Sequence, residues 1–538
     1  MYPAEHTPIL FRSESHMYPA EHKPQFIVKQ NYRMSFWRWR LHQLLDALWV
    51  QNATRVGFWE GSGLLGCRSY KEAIVLDEAL VGDVLRRARQ GGADFAELYV
   101  ERWRRRVLRV LSGEVKEATS GIEYGAGLRL FYGTEVVYAY TNDLSPQSLL
   151  EVTETLVQLK GQAGQVDALG RGGLDFRKAV AQGLHAPQVP FTAKDKRYRL
   201  ERIREAEAGA MVGPQIKQVQ TNLMEWEQEV LVATSEGAWA EDRRVRTRLY
   251  VTAIAQDESG MQTGVAGPGL SVGLELFDRY PPAEVGRRAG LQALTNLRAK
   301  PAPAGTMPVV IGNGFGGVIF HEALGHLLET TSVAKKASVL SDKLGEKVAS
   351  DCVTYIDDGT TPHGWGSQEF DDEGMPTERT VLIENGVLKS YMVDRLGSLL
   401  TGYRPTGSGR RQDYTFAPTS RMRNTFIAPG TTPKEKLFEG IEYGLYAADM
   451  GGGQVRPGSG EYNFAVKEGY IIRKGRIEEP VRGAMLVGKG PESIQRIVAV
   501  SDDLEMGPGM CGSLSGSLPV EVGQPHLLIS EIVVGGQA

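Results

Sequence analysis

The sequence predicts an α+β protein in two parts. The first is an N-terminal α+β domain built on a mostly antiparallel sheet. The second is a glycine-rich β domain, barrel- or sandwich-like, with one helix inserted. Three observations carry this reading. Glycine is abundant, 64 of 538 residues, or nearly twice the roughly 7% typical of proteins. Those glycines fall in turn-like stretches, such as ENG at 384–386 and RKG at 473–475, between short alternating apolar runs, the mark of hairpins. Helical periodicity appears mainly before residue 300, with a single apolar helix after it, in GFGGVIFHEALGHLLE (314–329).

Along the chain, residues 1–73 read as a frayed or disordered extension. MYPAEHTP at 1–8 recurs as MYPAEHKP at 17–24 with no periodic core behind it. SFWRWRLHQLLDALWV (35–50) is a candidate short amphipathic helix. The first domain is expected over 74–302. Asp77 is a plausible N-cap for a helix with Leu80, Val81, Val84, Leu85 and Ala88 on one face, closed by Gly91–Gly92. Residues 96–115 and 125–141 read as successive strands, 145–159 as a helix capped by Ser145, 194–210 as a charged helix, and 227–273 as further strands. PAPAG (301–305) marks the boundary. The second domain, 303–538, opens with the strand MPVVIG (307–312), enters the histidine helix, and after Ser350 reads almost wholly as strands and turns.

A net charge of −4 with 23% charged residues offers no bulk attraction to nucleic acid or membrane surfaces. No apolar run approaches the ~18 residues of a membrane-spanning helix; LHQLLDALWV (41–50) is broken by His42, Gln43 and Asp46. Cys67, Cys352 and Cys511 are odd in number and far apart, which is no disulfide framework and suits a reducing, cytoplasmic compartment. Cys67 and Cys352 read as small buried hydrophobes.

The chemistry lies in His321, Glu322 and His326, an HExxxH motif. On a regular helix, histidines at i and i+5 diverge by roughly 140°, so they share a metal only if the helix is perturbed. A single π-bulge would restore the separation normally found at i and i+4, and Gly325 removes a side chain where the helix must loosen. Apolar neighbours nearly all round imply a buried helix, in which charged and imidazole groups need partners, and a metal is one such partner. A catalytic zinc site needs a third protein ligand and an open position. Glu329, His363, Cys352 and Cys511 are the candidates, and spacing does not choose among them. Cys511 sits in EMGPGMCGSLSGSLP (505–519), read as a glycine-rich loop. DMGGGQV (449–455) reads equally as a plain turn or as a place of close substrate approach.

HEALGH (321–326), YIDDGT (355–360), FDDEGMPTERTVLIENGVLKSYMVDR (370–395), PTGSGRRQDY (405–414), IEYGLYAADMGGGQV (441–455) and GPGMCGSLSGSLPVEVGQP (507–525) resemble, in this order, the TldD family of metalloproteases. GGADFAELYVE (91–101), GLRLFYG (127–133) and AYTNDL (139–144) extend the likeness more loosely into the first domain; residues 1–73 have no counterpart. The resemblance implies one catalytic zinc per chain, held by His321, His326 and Cys511, with Glu322 as the general base. It also implies proteolysis of peptide precursors or unfolded proteins, and a dimer with the sister subunit TldE (PmbA), which lacks HExxxH; a homodimer is the alternative. Two other functions fit the residues: a zinc amidohydrolase of a small molecule, and a non-catalytic, metal-stabilised scaffold. Glu322 argues against the scaffold, because a structural zinc has no use for a base.

Overall fold

A computed structural model describes residues 76–160 and 174–536; the expected extension at 1–73 lies outside them. The N-terminal half is organised by long antiparallel strands, Phe95–Leu111, Glu114–Tyr132, Ile216–Thr234 and Ala238–Asp257, in one eight-stranded sheet. Glu135–Thr141 pairs beside Glu114–Tyr132 at one edge, so the single strand expected over 125–141 is in fact a hairpin, the end of one strand turning into the next. Helices Glu78–Gln90 and Pro146–Leu159 cover one apolar cluster of this sheet, with Val84, Leu85, Leu98, Leu128 and Leu156 buried. Lys196–Ala210 and Pro282–Arg298 cover a second, with Ile203, Leu249, Val285 and Ala289 buried.

Capping follows the sequence. Asp77 accepts from the Ala79 amide (3.0 Å) and Ser145 from the Ser148 amide (3.3 Å), each satisfying a donor that the first turn leaves unpaired. The helix Pro282–Arg298 adds to the elements expected from the sequence. It packs so closely on Lys196–Ala210 that a Cβ at Gly286 would lie 1.8 Å from the Ala206 carbonyl oxygen.

In the C-terminal half, Tyr443–Arg456, Gly305–Ile311, Leu527–Gly535, Met485–Lys489 and Glu461–Arg473 form a ring, the last pairing back to the first, so the barrel alternative holds: five strands close on themselves. Period-two alternation fills it. Met307, Val309 and Ile311 join the main core, while Val310 joins a separate cluster with Phe438 and Ile472 on the other face. The predicted turns are present: Asn385–Gly386 (φ 47° and 82°) and Lys474–Gly475 (φ 48° and 73°) have both central residues left-handed, as type I′ hairpins require. DMGGGQV is not a turn; it runs within Tyr443–Arg456 and carries that strand's register shifts.

A second, six-stranded sheet runs in the order Val387–Leu388, Arg379–Glu384, Tyr355–Asp358, Asn424–Ile427, Gly516–Gln524, Glu505–Ser513. The histidine helix, Val318–Ala323, lies between this sheet and the barrel, touching Tyr443–Arg456 and Glu461–Arg473 on one side and Gly516–Gln524 on the other. A buried ion network joins the halves. Arg129 donates to Glu97 (2.5 Å) and Glu373 (2.7 Å), Arg244 to Asp372 (2.7 Å), and Arg411 to Glu97 and the Asp372 carbonyl.

Candidate metal centre

The histidine segment solves the i, i+5 problem differently from the expected π-bulge. The α-helix stops at Ala323. Leu324 leaves helical geometry (φ −130°, ψ −51°), and Gly325–Leu328 restarts as a tighter 3₁₀ turn. The Leu324 amide still reaches the Phe320 carbonyl (3.1 Å), whereas Leu327 reaches only back to Leu324 (2.9 Å). The break swings His326 round so that its ring centroid lies 5.5 Å from that of His321, edge to face at 80°. Tertiary packing is close at the break. A Cβ on Gly325 would meet the Met422 sulfur at 2.1 Å, so glycine serves close approach here. On the other flank, a Cβ on Gly317 would lie 2.6 Å from the Gly523 carbonyl oxygen, which brings the helix start against the strand that pairs with the Cys511 strand.

Cys511 does not sit in a loop. It lies in Glu505–Ser513, the edge strand of a hairpin with Gly516–Gln524, opposite Leu518. Arg421 holds that hairpin in place, donating to the Cys511 carbonyl (2.6 Å), the Gly516 carbonyl (3.0 Å) and Ser515 Oγ (3.1 Å). The result is one cluster: ligand atoms of His321, Glu322, His326 and Cys511 all lie within 4.8 Å of one another. Cys511 Sγ is 3.2 Å and a Glu322 oxygen 3.5 Å from His326 Nε2.

Each imidazole is oriented from behind. His321 Nδ1 bonds Thr425 Oγ1 (2.7 Å) on Asn424–Ile427, and His326 Nδ1 bonds Glu329 Oε2 (2.9 Å). Both Nε2 atoms are therefore offered to the cluster, and His321 Nε2 is buried without a hydrogen-bond partner. Burial pushes the Cys511 thiol up, but the charge of His326 and contacts with both histidines outweigh it and bring the pKa down to about 5. Burial would lower His326, yet the Glu329 carboxylate and Cys511 hold it well above its ordinary value. Glu322 is raised by burial and lowered more by its hydrogen bond to His326 and the histidine charges, to about 2. A thiolate and the Glu322 carboxylate thus face the Nε2 side of His326, a place where a divalent cation would satisfy both negative groups.

Of the other candidates, Glu329 stands behind His326. His363 packs against His185 (ring centroids 6.4 Å apart), and Cys352 is exposed beside Ser350, contrary to the buried hydrophobe expected. Thr425 and Arg421 gave no local signal in the sequence.

Family models described as PmbA/TldA metallopeptidase domain 1, central domain and C-terminal domain match residues 96–160, 189–297 and 304–536. These matches make the chain a metallopeptidase. A metalloprotease TldD homolog of Haemophilus influenzae is 35% identical over 450 residues, covering 82% of this chain and 93% of the relative. A metalloprotease of Methanothermobacter thermautotrophicus is 34% identical over 425 residues, covering 79% and 91%. The chain belongs to the PmbA/TldD family. The crystal structure of TldE from Thermococcus kodakarensis superposes with a TM-score of 0.66 at 18% identity, over 85% of this chain and all of that one, a likeness of fold.

Proposed function

We propose that the protein is a zinc peptidase in which His321, His326 and Cys511 hold the metal and Glu322 is the general base. The observation that carries this reading is the partnerless, buried Nε2 of His321 beside His326 Nε2, Cys511 Sγ and Glu322. Zinc–ligand bonds of about 2.0–2.3 Å set tetrahedral neighbours about 3.3–3.8 Å apart; the 3.2 Å separation of Cys511 Sγ and His326 Nε2 is close to that spacing. When bound, zinc supplies Lewis-acid polarisation of a carbonyl and acidifies water.

The chain's own groups do the rest. Glu322, a carboxylate at neutral pH and part-exposed, accepts the proton of the attacking water and returns it to the leaving amine. Thr425 orients the His321 ring, and the Glu329 carboxylate, which can only accept, orients His326 and holds its proton on Nδ1. Glu505–Ser513 is a sheet edge carrying Cys511, so an extended peptide can add to it through backbone hydrogen bonds. That favours unfolded or precursor peptides as substrates. The proposed assembly is a dimer with a TldE-like sister chain, which shares this fold, and the proposed setting is the cytoplasm. Among the described residues no helix is long and apolar enough to cross a membrane. Glu322→Gln tests the proposal: zinc content persists while peptide hydrolysis falls about 10²- to 10⁴-fold. Undiminished hydrolysis would remove Glu322 from the reaction.

A further inference from the structure

One short stretch of chain runs behind the whole cluster. Residues 419–425 lead from the two-residue strand Thr419–Ser420 into Asn424–Ile427. The stretch is itself fixed along the way. Ser420 Oγ donates to the Met392 carbonyl (2.6 Å), the Arg421 amide to the Ser408 carbonyl (3.0 Å) and the Arg423 amide to Asp357 (2.7 Å). From it Thr425 reaches His321 Nδ1 (2.7 Å), and Met422 packs against Gly325, the neighbour of His326. Arg421, only 1% exposed, reaches the backbone of Cys511.

The contacts of Arg421 close a ring. Its Nη2 donates to the Cys511 carbonyl (2.6 Å), and its Nη1 to Ser515 Oγ (3.1 Å) and the Gly516 carbonyl (3.0 Å). Its Nε faces Glu329 Oε1 at 3.9 Å, an oxygen buried without a hydrogen-bond partner. The other Glu329 oxygen holds His326 Nδ1 (2.9 Å), and His326 Nε2 meets Cys511 Sγ (3.2 Å). One planar guanidinium thus stands behind two donors that lie 185 positions apart in the chain. Cys511 needs such a hold, because Glu505–Ser513 is the end strand of its sheet and pairs on one side only. A lysine, a single point charge on a flexible stem, does not reproduce this set of fixed directions.

We infer that Arg421 is a positioning residue of the metal site: it fixes the Cys511 strand against Glu329 and so sets the spacing at which the thiolate and the His326 imidazole meet one ion. The inference rests on the metal reading above. Supporting groups of this kind are worth about 10- to 100-fold in metal affinity, because the donors stand ready instead of being gathered by the metal.

The test uses the metal-stripped full chain and two metals. Zinc is titrated against a chromophoric chelator, and cobalt(II) reports the sulfur–metal bond through its thiolate charge-transfer absorption. That band is expected in the native chain and absent in Cys511→Ser. In Arg421→Lys, zinc binding is expected to weaken about tenfold or more, with the cobalt band reduced and unfolding still cooperative. Ser420→Ala disturbs the same stretch without touching the cluster, and native affinity and a native band are expected there. Zinc affinity within about twofold of native in Arg421→Lys overturns the inference and leaves the metal reading intact. A full-strength band despite weaker binding, or equal losses in Ser420→Ala, does the same. A native chain that takes up neither metal, or a band that survives in Cys511→Ser, fails the metal reading and the inference with it. If Arg421→Lys does not fold, a crystal structure of the zinc-loaded native chain decides. Arg421 on the Cys511 carbonyl and beside Glu329 supports the role, and a guanidinium turned away from either overturns it.

Discussion

Replacing Glu329 by Gln keeps the shape of the side chain and removes its charge. Glu329 is 3% exposed, with Oε2 2.9 Å from His326 Nδ1 and Oε1 3.9 Å from Arg421 Nε. The amide oxygen of Gln still accepts from Nδ1–H, so the ring stays oriented and only the carboxylate's contribution to imidazole basicity is lost. Partners of this kind contribute about 10- to 100-fold in metal affinity, or about 1.4–2.7 kcal/mol. The loss has a pH signature. Glu329 also favours the protonated imidazole, which competes with metal. The native chain is therefore handicapped more at low pH, and the gap between it and Glu329→Gln widens as pH rises. Zinc competition against a chromophoric chelator, on metal-stripped protein at several pH values, reads this directly. A change of less than about twofold at every pH, in a variant with native unfolding, would refute the view that Glu329 tunes a metal-holding histidine.

Two predictions concern the scaffold. Gly325→Ala should destabilise the fold by about 1–3 kcal/mol through overpacking, since its Cβ falls on the Met422 sulfur. Met422→Ala in the same chain should return a coupling of at least about 1 kcal/mol in a denaturant-unfolding cycle. Arg411→Met should cost about 3–5 kcal/mol, because it strips a fully buried guanidinium from Glu97 and Asp372; calorimetric unfolding checks it.

The sequence carried the local features well. The Asp77 and Ser145 caps, the Asn385–Gly386 and Lys474–Gly475 turns and the paired histidines are set by residues within a few positions of one another. What it hid is non-local. The helix breaks at Leu324, where Met422 packs against Gly325 and Gly460 and Gly490 pack against the Ala323 carbonyl. Thr425 reaches His321 across 104 positions. The Cys511 segment looked like a loop because its glycines mask a strand whose register only Gly516–Gln524 reveals. Helix Pro282–Arg298 leaves a weak sequence signal because its buried face is made partly of glycine and alanine, Gly286, Ala289, Gly290 and Ala293, which give little apolar periodicity yet allow close helix packing.

The proposed function stands on one zinc held jointly by His321, His326 and Cys511. The direct measurement is metal content by mass spectrometry of chain purified without chelator, native beside Cys511→Ser. One zinc per native chain is expected, with the metal lost or greatly weakened in the variant. A native chain that stays metal-free even after zinc is added back, or a variant that keeps its zinc at native affinity, would contradict it.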